Sequence, residues 1–126
     1  MEGINHLIEV YETAAKTKDV DLMLSIYADD IFVYDAWEKW SESGIDAMKQ
    51  LVTEWFASLG EESLDIEISN IKVEADTHVG FASYDVKFIR LDTKGKAYQS
   101  ITNRFTIGVV KDNQWKIKHQ HSSIPH

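Results

Sequence analysis

The chain has no cysteine, which excludes disulfide staples, thiolate nucleophiles and cysteine-ligated metals. Positive charge is also short: 13 lysines and arginines are scattered among 21 acidic residues, for a formal net charge of -8. Polyanionic surfaces reward clustered basic groups, so neither nucleic acid nor an anionic membrane is an expected partner. No apolar run approaches the roughly 20 residues that a bilayer-spanning helix needs. The stretch from Met1 to His6 lacks the basic and apolar regions of a signal peptide, so a cytoplasmic protein is expected. Low-complexity segments and internal repeats are missing too.

What remains is a chain of 126 residues, 44% hydrophobic and 11% aromatic, long enough for one domain spanning residues 1–126. Ile4, Leu7, Ile8, Tyr11 and Ala15 mark one face of an amphipathic helix ending near Lys16. Asp19 offers an N-cap to a second helical stripe, Val20, Met23, Leu24 and Tyr27, which Asp29 and Asp30 end. Ile31 to Tyr34 reads as a short strand. The segment Asp35 to Glu42, with Trp37 and Trp40, has no period and reads as a loop or lid. Ser43 and Asp46 form a capping-box pattern before a third helix with Ile45, Met48, Val52, Trp55, Phe56 and Leu59 inward.

From Leu64 the period becomes two, with a phase break at Ser69-Asn70 that suggests a bulge. Val79 to Leu91 reads as a strand with Ala82, Tyr84, Val86 and Phe88 on one face, and Ala97 to Val110 as the next. The latter has bulky groups on both faces: Tyr98, Arg104 and Val110 against Ile101, Phe105, Ile107 and Val109. Helices cover one face of a sheet, so the other face predicts a homodimer through the sheet. The last strand places Trp115, Ile117, His119 and His121 together, with Lys116, Lys118 and Gln120 opposite. These patterns give an α+β class whose sheet curls around the helices and leaves a cavity.

The order of elements, the Asp19-x-Asp21 start of helix two, Tyr27-Ala-Asp-Asp30 and the closing Trp115-x-Ile-x-His119-x-His121-x-Ser123 resemble the SnoaL-like, ketosteroid-isomerase-like branch of the NTF2-like superfamily. The resemblance implies a cone-shaped half-barrel, with three N-terminal helices packed on a curved, mainly antiparallel sheet. It also implies a deep apolar pocket and a usually dimeric state, but no single activity, because this cone hosts isomerases, cyclases, hydrolases, dehydratases and non-enzymatic association modules. Isomerase members use a tyrosine of the first helix as oxyanion donor and an aspartate after the first strand as general base. Tyr11 and Asp35 match these positions. The acid that such members carry on the penultimate strand has no counterpart between Ala97 and Val110, and Ala36-Trp37 replaces the usual Pro-Gly.

Asp35, beside Tyr34, Trp37 and Trp40, suits a desolvated general base, with Tyr11 donating to a developing enolate oxygen. The competing reading has Asp35 capping a turn and Tyr11 packing. His119 and His121 are candidates for acid–base chemistry or for the pocket wall. A metal at His119-x-His121 is the weaker reading, because no third ligand follows at cupin spacing. Arg104 either reaches into the cone or lies in the dimer interface. Tyr34, Trp37, Trp40, Phe56, Tyr84 and Arg104 are candidate ligand contacts. The expected ligand is a small apolar or aromatic molecule, with no cofactor and no metal; the alternative is a non-catalytic binding or dimeric association module.

Overall fold

The computed structural model describes residues 3–36 and 40–125. Helix α1 covers Ile4–Thr17 and buries the stripe Ile4, Leu7, Ile8, Tyr11, Ala14 and Ala15. It stops where Lys18 turns left-handed (φ 54°). Helix α2, Val20–Leu24, is capped by the Asp19 side chain, which accepts from the Leu22 N–H at 3.0 Å. This helix is far shorter than its apolar stripe predicts. Tyr27 already belongs to strand β1, Tyr27–Tyr34, because the Ile117 N–H donates to the Ile26 carbonyl at 2.8 Å and sheet pairing overrides the helical pattern.

A two-residue strand β2, Glu42–Ser43, pairs with β1 and precedes helix α3, Ile45–Ser58. The capping box expected at Ser43 does not form. Gly44 is the N-cap, at φ 93°, with no side-chain capping bond, since Ser43 is held in the sheet opposite Phe32. Long strands follow: β3 Ser63–Ala75, β4 Val79–Leu91, β5 Ala97–Asp112 and β6 Gln114–Ser123. Among the described residues six strands form one sheet in the order β2-β1-β6-β5-β4-β3. The β1/β6 pair is parallel and the rest are antiparallel, giving a mixed α+β fold. Met23, Ile26, Val52, Val86, Ile107 and Ile117 are fully buried in its core. Among the described residues no helix is long and apolar enough to cross a membrane.

Two of the sheet's register shifts set which side chains of β3 and β6 face that core. In β3 the register shifts between Ser69 and Lys72, with Asn70 at φ 57°, where the broken alternation predicts a bulge. The second lies in β6. Ile117 pairs with Val109, but His119 pairs with Gly108, so Lys118 is an extra residue with no partner in β5. With a side-chain period of two, one inserted residue exchanges the faces of everything beyond it. Ile117 points inward before the insertion; Gln120 and Ser122 do so after it, and both are buried.

Candidate functional site

A cavity of about 610 Å³ lies between the helices and the sheet, with Met23, Val52, Trp55, Leu59, Phe88 and Ile101 among its apolar walls. Polar side chains break that lining, among them Tyr11, Tyr27, Asp35, Asn103, Gln120 and Ser122. A mostly apolar enclosure with a few convergent polar groups is the usual form of a small-molecule site.

Local pairing brings these groups together around Phe105. The α1 stripe carries Tyr11 inward, where its ring meets Phe105 edge-on at 5.7 Å and Trp55 at 6.4 Å. Across the sheet Phe105 is in register with Ser122. The Ala36 N–H donates to Ser122 Oγ at 3.2 Å, which ties the end of β1 to β6 and sets Asp35 in the cavity wall. Tyr27 Oη donates to Gln120 Oε1 at 2.8 Å in a buried bond. Asn103 projects from the same face of β5 as Phe105, about 7 Å along the strand.

Burial dominates the electrostatics. It pushes the Tyr11 phenol well above its ordinary value, helped by Tyr27, Tyr84 and the charge of Asp35. Burial and Tyr84 raise Tyr27 against the opposing effect of its bond to Gln120, and burial raises Tyr84. Tyr11 is therefore a neutral hydrogen-bond donor throughout the physiological range. Near the other end of the lining, Arg90 Nε donates to Glu62 Oε1 at 2.7 Å, and Tyr98 Oη donates to the same oxygen at 2.6 Å. A separate groove of about 660 Å³ between α1 and β3 is lined by Asn5, Glu9, Glu12 and four aliphatic side chains. It contains none of the six polar groups named above, so the cavity between helices and sheet is the better candidate.

Several expected site residues lie elsewhere. The insertion at Lys118 turns His119 and His121 onto the outer face of the sheet, so neither lines the cavity. His119 stacks on Phe32 at 4.1 Å between centroids. Its Nδ1 lies 2.9 Å from the Phe32 carbonyl, and since a carbonyl can only accept, that nitrogen carries the proton. His121 is exposed beside Tyr34, and Tyr34 shares the outer face. Arg104 also faces outward, donating to Ser123 Oγ at 3.2 Å, because it alternates with the inward Asn103 and Phe105. Trp40 is 93% exposed. Phe56 and Tyr84 are buried behind the lining, against Trp55 and Phe105 respectively. Trp37 lies outside the described residues. Asn103, Gln120 and Ser122 were not expected as ligand contacts; Asn103 faces the cavity because it alternates with the outward Arg104.

A family model described as a SnoaL-like domain matches residues 4–126. The chain belongs to the SnoaL-like family. Among solved structures, this SnoaL-like chain is similar to an NTF2-like protein of unknown function from Pseudomonas putida KT2440, with 24% identity and a TM-score of 0.86 over 97% of this chain and 84% of the other. It also resembles a candidate calcium/calmodulin-dependent protein kinase II association domain from Xanthomonas campestris, at 17% identity and a TM-score of 0.80, covering 97% and 85%. A candidate scytalone dehydratase from Novosphingobium aromaticivorans matches at 17% identity and a TM-score of 0.78, covering 94% and 79%. No curated protein sequence matches the chain. At these identities the structural likenesses show the SnoaL-like fold alone.

Proposed function

We propose that this SnoaL-like protein binds a small, mostly apolar carbonyl compound in a cone-shaped cavity and moves a proton on the carbon next to the carbonyl without a cofactor. The observation that carries this reading is that Tyr11 and Asp35, from distant parts of the chain, line the same cavity. Asp35 takes the α-proton, the C–H electron pair forms the enolate double bond, and the carbonyl π pair moves onto oxygen. Tyr11, kept neutral by burial, donates to that oxygen. The proton returns from Asp35 to carbon, which closes the cycle.

Exchange of the α-protons of indanone into heavy water, followed by proton NMR, tests the step without knowledge of the natural substrate. Wild type accelerates exchange. Asp35→Asn lowers the rate by about 10²-fold or more, and Tyr11→Phe by a comparable factor. If Asp35→Asn exchanges as fast as wild type, the assignment of the base is wrong.

The outer sheet face supports a second element of the reading, a homodimer. Phe32, His119 and Phe81 lie in one cross-strand row across Gly108, and Val79, Phe81 and Tyr34 are exposed. Asp85 and Arg104 stand side by side on that face, so two copies related by a two-fold axis can match apolar row to apolar row and acid to base.

A further inference from the structure

Asn103 is 1% exposed, lines the cavity, and has no hydrogen-bond partner for its Oδ1 among the described residues. Its neighbours in the wall are satisfied differently. Gln120 Oε1 accepts from Tyr27, and Ser122 Oγ accepts from the Ala36 N–H. Across β4 the residue paired with Asn103 is Val86, whose side chain offers nothing to an amide. A buried amide oxygen without a partner is uncommon because its desolvation is uncompensated. In the wall of a cavity, a polar group of a ligand can complete it.

We propose that Asn103 is a specificity-determining residue that selects carbonyl compounds carrying a hydroxyl group as well. This rests on reading the cavity as a site for carbonyl compounds. Tyr11 already supplies a donor to the carbonyl, so a second carbonyl-like acceptor does not answer an orphaned acceptor on Asn103. A hydroxyl does, by donating to Oδ1. It also serves the amide turned over, by accepting from Nδ2. A ligand without the hydroxyl leaves the amide buried and unmet, which is how sites that bind a hydroxyl reject analogues lacking it.

Calorimetric titration of indanone and of a series of its monohydroxylated forms into the full chain provides the test. Wild type binds the best hydroxylated form about tenfold more tightly than indanone. Asn103→Leu, similar in volume but apolar, loses that preference while becoming more resistant to urea, because an orphaned group has been removed. A residue that merely completes the packing would lose resistance instead. Asn103→Asp retains the preference, and Asn103→Ala repeats the comparison with no risk of overfilling the wall. Equal affinities in wild type, or a preference that survives in Asn103→Leu and Asn103→Ala, overturns the inference while leaving the cavity reading intact. Absence of binding by every ketone overturns both.

Discussion

Tyr11, Tyr27 and Tyr84 couple the cavity to the stability of the fold. Burial raises the pKa of each above the ordinary tyrosine value, whereas in the unfolded chain each titrates at about 10. The neutral forms favour the folded state. Their contribution is fully present below about pH 10 and is lost as pH rises toward the folded values, by up to about 1.4 kcal/mol per tyrosine per pH unit. Urea midpoints should therefore fall steeply above about pH 10, with a shallower fall in Tyr27→Phe. Tyr11 was legible in the sequence because the 3.6-residue period of α1 fixes its inward side. Asn103 was not, since both alternation classes of β5 carry bulky groups and burial on one side cannot be told from coverage on the other. Composition holds no sign that an amide's oxygen is left without a partner.

Strand β6 shows where periodicity misleads. The alternation from Trp115 to His121 is regular in the sequence, yet Lys118 interrupts it in space, pairing with Asp30 of β1. One lysine thereby exchanges two imidazoles for an amide and a hydroxyl at the cavity wall. No local pattern marks it, because a bulge is set by the register of the partner strand, here Gly108-Val109. The β3 bulge was legible, since its break falls within the apolar alternation itself. Deletion of Lys118 should restore the uninterrupted alternation, turn Gln120 and Ser122 outward and break the Tyr27–Gln120 bond. The expected outcome is loss of cooperative unfolding in urea, read by tryptophan fluorescence. The β3/β4 hairpin has its own sensitive point at Gly80, which is paired with Ala75. A Cβ at Gly80 would lie 2.8 Å from Ala75 Cβ and 2.8 Å from the Glu74 carbonyl oxygen. Gly80→Ala should lower the unfolding free energy by about 1–3 kcal/mol, measurable in the same experiment.

For the molecule as a whole, the proposed pairing of sheets carries a direct expectation. Light scattering at micromolar concentration should report a dimer, and Phe81→Glu should give a monomer that keeps its helical and strand circular dichroism. A wild-type monomer would remove the interface reading and leave the cavity untouched. The mixed α+β arrangement followed from the change of period near Leu64, and the family from the order of elements. The parallel pairing of β1 with β6 did not, because nothing local links residues about ninety positions apart. That pairing has a consequence in time. Asp35 owes its setting to Ser122, and Tyr27 its buried partner to Gln120, at sequence separations of 86 and 93 for the two bonds. Contacts so distant form late, since closing long loops is entropically slow. During synthesis α1, α2 and β1 emerge before β6, and Tyr11 and Asp35 wait without a floor beneath them until residues 114–123 clear the ribosome. The cavity is thus complete only once β6 has docked, and a chain cut short before Gln120 would keep its two proposed reacting groups and lose the place where they meet.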